Sequence, residues 1–196
     1  MKLVMIKYNA GNTRSLQYAL QRLGVDPLIS DDPEEILSAD KIIFPGVGEA
    51  SSAMNYLIEK ELDKVIKLAT QPFLGICLGM QLMCVHSEEN DTACLGIFEE
   101  KVKLFSSNDR KIKIPQIGWN TITDLKSDLF KDIPEQSHCY FVHSYFADAG
   151  QHTIATTDYC IPYSAALNKN NFYGVQFHPE KSALVGEKII QNFLHI

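Results

Sequence analysis

The first half of the chain alternates two patterns of apolar positions. Short, nearly continuous apolar runs stand at Leu3 to Lys7, Ile42 to Phe44 and Phe73 to Ile76. Runs of that length suit strands buried on both faces. Between the first two, Leu16, Leu20 and Leu23 share one face at helical spacing, with Asn12 placed to cap the helix and Gly24 to stop it. Ala53 to Leu68 reads as another helical stretch, broken near Glu61. This alternation predicts an α/β fold with an open, mostly parallel, doubly wound central sheet and helices on both faces. The second half is richer in strands, with candidates at Lys101 to Phe105, Cys139 to Tyr145, Thr153 to Thr156, Ser164 to Leu167 and Phe172 to Phe177. A last helix is expected over Ala183 to Leu194, and Ser106 to Lys111 is a polar loop.

Composition narrows the function classes. A length of 196 residues suits a single domain spanning 1–196 with a core that needs no staples. A net charge of −6 argues against a nucleic-acid surface. No apolar run is long enough for a membrane span, and the apolar N-terminal run is too short for a signal peptide. The cysteines at 77, 84, 94, 139 and 160 are odd in number and lack C-x-x-C spacing. They predict neither a disulfide framework nor a zinc site, and place the chain in a reducing, cytoplasmic compartment. Cys84, Cys139 and Cys160 sit among apolar neighbours and read as small core residues.

One cysteine is different. In Gly75-Ile76-Cys77-Leu78-Gly79-Met80-Gln81, the apolar run Pro72 to Leu74 leads in and an amphipathic run, Gln81 to Cys84, leads out. This is strand, sharp turn and helix, with a glycine two residues to each side of the apex. It is the layout of a nucleophile elbow with cysteine in place of serine. Flanking glycines relieve crowding at a strained apex, and the positive end of the following helix favours a thiolate.

A cysteine nucleophile needs a base, and the base needs an orienting group. Tyr173, Val175 and Phe177 alternate on one strand face, which puts His178 on the other. If the chain stays extended, Glu180 falls on the same side as His178, and Pro179 prevents a helix from starting at the histidine. Glu180 would then hold one imidazole nitrogen while the other faces Cys77. His143, inside an apolar strand, reads as a satisfied buried histidine. After the strand ending at Phe44, Pro45-Gly46-Val47-Gly48 is a loop able to turn its amides inward. Those amides, with that of Leu78, could hold a tetrahedral oxyanion.

Together, residues 75–81 and Phe-His-Pro-Glu-Lys-Ser at 177–182 resemble the class I glutamine amidotransferases. Four further segments narrow the similarity to the glutaminase subunits of imidazole glycerol phosphate synthase. These are Asn9-Ala10-Gly11-Asn12, Pro45 to Gly48, Pro115-Gln116-Ile117-Gly118-Trp119-Asn120 and Tyr140 to Tyr145. The resemblance implies a Cys77, His178, Glu180 triad that splits glutamine to glutamate and ammonia through a γ-glutamyl thioester, with no cofactor. It implies that Gly48, Gln81, Ser144 and Tyr145 hold glutamine, and that the Val47 amide must turn over to complete the oxyanion hole. It also implies a partner, a separate (β/α)8-barrel cyclase, met near Asn12, Trp119 and Lys181. Where the family usually has histidine and methionine before Gly-Trp-Asn, this chain has Gln116 and Ile117, on a segment expected near the partner face. Two other readings stay open on sequence grounds: a glutaminase serving a different synthase, and a non-catalytic or redox-sensing cysteine protein on the same scaffold.

Overall fold

Period-two alternation decides how the central sheet is built. In the computed structural model, which describes residues 1–11, 13–107 and 112–196, β1 (Leu3–Ile6) is buried along its whole length. Val4 and Ile6 point to one side of the sheet, and Leu3 and Met5 to the other. Against the second side packs α1 (Thr13–Arg22), through Leu16, Ala19 and Leu20. β2 (Leu28–Ser30) follows. Asp32 then caps the short α2 (Pro33–Leu37), its side chain accepting the Glu34 and Glu35 amides with Pro33 in the first turn. β3 (Lys41–Gly46) precedes α3 (Ala50–Glu59) and α4 (Leu62–Leu68), which cover the first side. The expected break falls at Glu61, whose φ is 57°.

β4 (Phe73–Cys77) runs straight into α5 (Leu78–Met83). Every residue of α5 is buried, so the amphipathic run expected after the cysteine is a correction: this helix has no solvent face. β5 (His86–Ser87), β6 (Thr92–Ala93) and β7 (Lys101–Leu104) follow; β5 lies against α5, and the amides of Leu95, Ile97 and Phe98 close its end by donating to the Leu82 and Met83 carbonyls.

The strand-rich half continues with β8 (Gln116–Ile122), β9 (Ser137–His143), β10 (Tyr145–Ala147), β11 (Thr153–Asp158), β12 (Pro162–Lys169), β13 (Phe172–Val175) and α6 (Ala183–His195). The run Cys139 to Tyr145 is therefore not one strand. It breaks at Ser144, where the chain leaves a ribbon with β8 and joins β7. The main sheet has the order β11-β12-β13-β4-β3-β1-β2, parallel from β13 to β2 and antiparallel at the β11–β12–β13 edge. α6 joins α1 on the second face, burying Ile189, Ile190 and Phe193. Among the described residues, no helix is long and apolar enough to cross a membrane. The proposed helix cap Asn12, and residues 108–111 of the polar loop, lie outside the described residues.

Candidate active site

The sulfur sits where a parallel strand ends. β3 and β4 run side by side until Gly46 is level with Cys77. Open α/β sheets place their sites at such carboxyl ends. Cys77 has φ 53° and ψ −111°, a strained region for a residue with a Cβ. The flanking glycines answer a packing demand. A Cβ on Gly79 would land on the Phe44 carbonyl oxygen, and one on Gly75 would meet Met83 and the Gly79 carbonyl. Only without side chains there can α5 lie directly on β3 and β4 and hold the turn.

His178 is brought to the sulfur by β13, the parallel neighbour of β4. Its amide donates to the Tyr140 carbonyl. The buried Ser182 hydroxyl donates to the His178 carbonyl at 2.7 Å and accepts the Tyr140 amide at 2.9 Å. Ser182 therefore ties the histidine's backbone to β9. That role was missed in the sequence, although the serine closes the Phe-His-Pro-Glu-Lys-Ser stretch. His178 Nδ1 lies 2.9 Å from Glu180 Oε1, with both side chains almost fully buried. The route to this pair differs from expectation. The chain does not stay extended: Pro179–Lys181 forms a single 3-10 turn, with His178 as its N-cap. Proline suits the first position of such a turn, and the turn swings Glu180 back under the imidazole.

His178 Nε2 is buried and has no hydrogen bond among the described residues. Burial alone would lower this histidine. Cys77 and Glu180 on either side of the ring outweigh it and push His178 up to about 10. The arrangement therefore favours the imidazolium form of His178.

A cavity of about 340 Å³ opens over the sulfur. Of the sequence-nominated residues that the structure describes, all line it but Glu180, which stands behind His178, and the surface candidates Trp119 and Lys181. These lining residues are Val47, Gly48, Cys77, Leu78, Gln81, Ser144, Tyr145 and His178. Glu89, Pro115, Val142 and His143 also line it, and sequence reasoning did not assign them to the pocket. Glu89 comes from the segment after β5 and accepts the Ala50 amide at 2.7 Å. Burial, partly offset by that bond, raises its carboxyl above the ordinary value.

Leu78 is the first residue of α5, so its amide has no partner within the helix. The Val47 amide does not face the sulfur. It donates to the Ala10 carbonyl at 3.1 Å. Gly46 is tightly enclosed: a Cβ there would fall 2.5 Å from the Tyr8 hydroxyl and 2.6 Å from the Gly79 nitrogen.

Gln81 is buried and donates through Nε2 to the Tyr145 carbonyl at 2.7 Å and to Gln176 Oε1 at 2.9 Å. Gln176 Nε2 in turn reaches Cys77 Sγ at 3.7 Å. His143 is a satisfied buried histidine, as expected, bonded at both nitrogens. Gln116 departs from expectation. It points inward from β8, 3% exposed, while its neighbour Ile117 is 62% exposed. Trp119 is 54% exposed, packed edge-on against Tyr140, and the Lys181 ammonium lies over the other ring of that pair, 5.9 Å from the Tyr140 centroid. Trp119 and Lys181 thus meet at the surface through the Tyr140 ring, whereas Asn12 lies outside the described residues.

A cysteine elbow and a His-Glu pair meeting at the end of a parallel strand define a thiol amidotransferase-type site. The model of the class-I glutamine amidotransferase family matches residues 4–196, and the chain belongs to that family. It is 56% identical over 196 residues, covering both chains completely, to the imidazole glycerol phosphate synthase subunit HisH of Bacteroides fragilis. It is 46% identical over 202 residues to the protein of that name from Vibrio parahaemolyticus, covering all of this chain and 98% of that one. Among solved structures, a chain of PurLQS from Thermotoga maritima shares the fold with a TM-score of 0.71 at 19% identity, covering 99% of this chain and 97% of that one.

Proposed function

We propose that this chain is the glutaminase subunit of an imidazole glycerol phosphate synthase, acting in the cytoplasm as one domain over 1–196. The observation that carries the chemistry is that Cys77 and His178 line one cavity while Glu180 holds His178 from behind. Full-length relatives that share one subunit name support the pathway.

The side-chain amide of glutamine enters over the sulfur. Gly48, Gln81, Ser144 and Tyr145 hold it, and Glu89 offers a carboxylate to the substrate's α-ammonium group. The Cys77 thiolate attacks the amide carbon, and the carbonyl π pair moves onto oxygen. The amide of Leu78, joined by that of Val47 once it turns from Ala10, stabilises the oxyanion. His178 gives its Nε2 proton to the leaving nitrogen, and ammonia departs as the carbonyl re-forms. Water then attacks the thioester, His178 takes its proton, and glutamate leaves with the thiolate restored. Glu180 keeps Nδ1 protonated throughout and stabilises the ring in its cationic steps.

Free ammonia would protonate in water, so an acceptor has to dock beside the site. The fitting partner is a separate (β/α)8-barrel cyclase that turns the ammonia into imidazole glycerol phosphate and AICAR. Trp119, Lys181 and Asn12 are assigned to its docking face. The exposed aromatic at 119 supports this choice, since tryptophan is enriched among interface anchors.

The acylation step is tested by an electrophilic glutamine analogue carrying a diazoketone in place of the amide. Peptide mass spectrometry is expected to find it on Cys77 alone, with Cys77→Ala unlabelled. Labelling elsewhere with Cys77 untouched would overturn the assignment.

A further inference from the structure

Behind the pocket, a file of buried polar groups runs from β8 to the sulfur. The Gln116 amide meets the Tyr163 hydroxyl at 2.8 Å. That hydroxyl lies 3.1 Å from His143 Nε2, and His143 Nδ1 lies 2.7 Å from the Tyr145 carbonyl oxygen. The same carbonyl accepts Gln81, which bonds Gln176, which reaches Cys77 Sγ.

Counting hydrogens fixes the direction of the first three links. A carbonyl only accepts, so His143 Nδ1 carries a hydrogen. Burial holds the ring neutral by lowering it to about 4, and the nearby His178 acts in the same direction. Cys77, His178 and Glu89 also line the cavity, but among the described contacts none is hydrogen-bonded to the ring. A neutral ring with hydrogen on Nδ1 has a lone pair on Nε2, and the single Tyr163 hydroxyl hydrogen is what can meet it. Tyr163 then has no hydrogen left for Gln116. The Gln116 amide is placed with Oε1 at the phenol oxygen, and the hydrogen count requires it to be turned over so that its NH2 donates there, an orientation that the surrounding network settles.

We propose that Gln116 is a positioning residue of the glutaminase site. By donating to Tyr163 it commits the tyrosine's hydrogen to His143, and so holds the Tyr145 carbonyl and Gln81 where glutamine binds. Its effect on turnover rests on the glutaminase reading; the hydrogen arrangement does not. Replacing the donor by an acceptor is the sharpest perturbation. In Gln116→Glu the carboxylate takes the Tyr163 hydrogen, leaving His143 Nε2 facing an oxygen lone pair, a clash that the ring relieves by gaining a proton. Gln116→His keeps a donor.

The test uses the full chain labelled with 15N-histidine, and glutamine turnover with the cyclase partner added. In the unsubstituted protein, His143 is expected to show a protonated Nδ1 and a bare Nε2 at neutral pH. Tyr163→Phe should shift the Nε2 resonance, and Gln116→Glu should protonate it. Kinetically, Gln116→Glu should raise the KM for glutamine about tenfold with a smaller change in kcat, since a buried group left facing a misdirected partner loses its hydrogen bond without regaining one from water. Gln116→His should stay within about threefold, and Gln116→Glu should add little in a Tyr163→Phe background. An Nε2 resonance unmoved by Tyr163→Phe, or equal kinetics for Gln116→Glu and Gln116→His, would overturn the proposal. If the unsubstituted complex turned over no glutamine, the glutaminase reading would fail, while the resonances would still decide the hydrogen arrangement.

Discussion

The amide of Val47 donates to the carbonyl of Ala10 at 3.1 Å, turned away from the sulfur it would serve. On the proposed reading the Leu78 amide is then the one donor left for the oxyanion, and completing the hole requires the Gly46–Val47 peptide to rotate. The rotation breaks one hydrogen bond and changes φ at a β-branched residue, both of which oppose it. Val47→Gly removes the second obstacle. Glutamine turnover by the isolated chain is expected to rise on the order of tenfold, matching a barrier lowered by about 1.4 kcal/mol. Unchanged basal turnover would mean that peptide rotation does not limit the resting enzyme.

The elbow's second glycine is set by packing. A methyl group on Gly79 collides with the Phe44 carbonyl oxygen, whereas one on Gly11 meets nothing closer than 3.5 Å. Gly79→Ala is expected to cost about 3 kcal/mol in urea unfolding, and Gly11→Ala less than about 1 kcal/mol. Equal midpoints for the two would refute the close approach of α5 to β3.

Two buried histidines should tilt stability in opposite directions with pH. His143 falls from its ordinary 6.5 to about 4 in the folded protein. Between those values the unfolded chain binds more protons, so stability is lost as pH falls from 6.5 towards 4, by on the order of 3 kcal/mol. His178 rises from 6.5 to about 10, so its contribution is complete below 6.5 and is lost as pH climbs towards 10. Urea midpoints measured against pH should lose the acid slope in His143→Gln and the alkaline slope in His178→Asn. Slopes indifferent to both substitutions would contradict these assignments.

Thiol chemistry separates Cys77 from Cys84, Cys94 and Cys139. Burial raises Cys84 well above the ordinary thiol value and pushes Cys94 and Cys139 up to about 12. Cys77 alone opens onto the cavity beside an imidazolium. Iodoacetamide at pH 8 should modify Cys77 first, leave Cys84, Cys94 and Cys139 intact, and be slowed at Cys77 by glutamine. Mass spectrometry of the folded protein reads the outcome, and early modification of Cys139 would be inconsistent with the packing described.

What the sequence revealed and what it hid follow from the range of the interactions. The elbow was legible because its demands are local: strand, apex and helix occupy neighbouring residues, and the two glycines flag the crowding. The alternation of strand and helix likewise exposed the parallel sheet. The pairing of His178 with Glu180 was anticipated by a wrong route, since a 3-10 turn and not an extended chain joins them. α2 went unread because its five residues give no helical repeat, although Asp32 and Pro33 carry its capping chemistry. Burial of α5 was hidden because part of its enclosure comes from β13, far along the chain. Gln116 looked like a surface substitution for the same reason: its partners Tyr163 and His143 arrive from other strands.

The central claim is that Cys77 splits glutamine for a docked cyclase. Glutamate release should therefore be measured for the purified chain mixed with a cyclase partner, with and without that partner's ribonucleotide ligand, with Cys77→Ala as control. The account predicts low turnover for the chain alone, a large rise when cyclase and ligand are both present, and none with Cys77→Ala. Turnover that ignores the cyclase, or persists in Cys77→Ala, would contradict it.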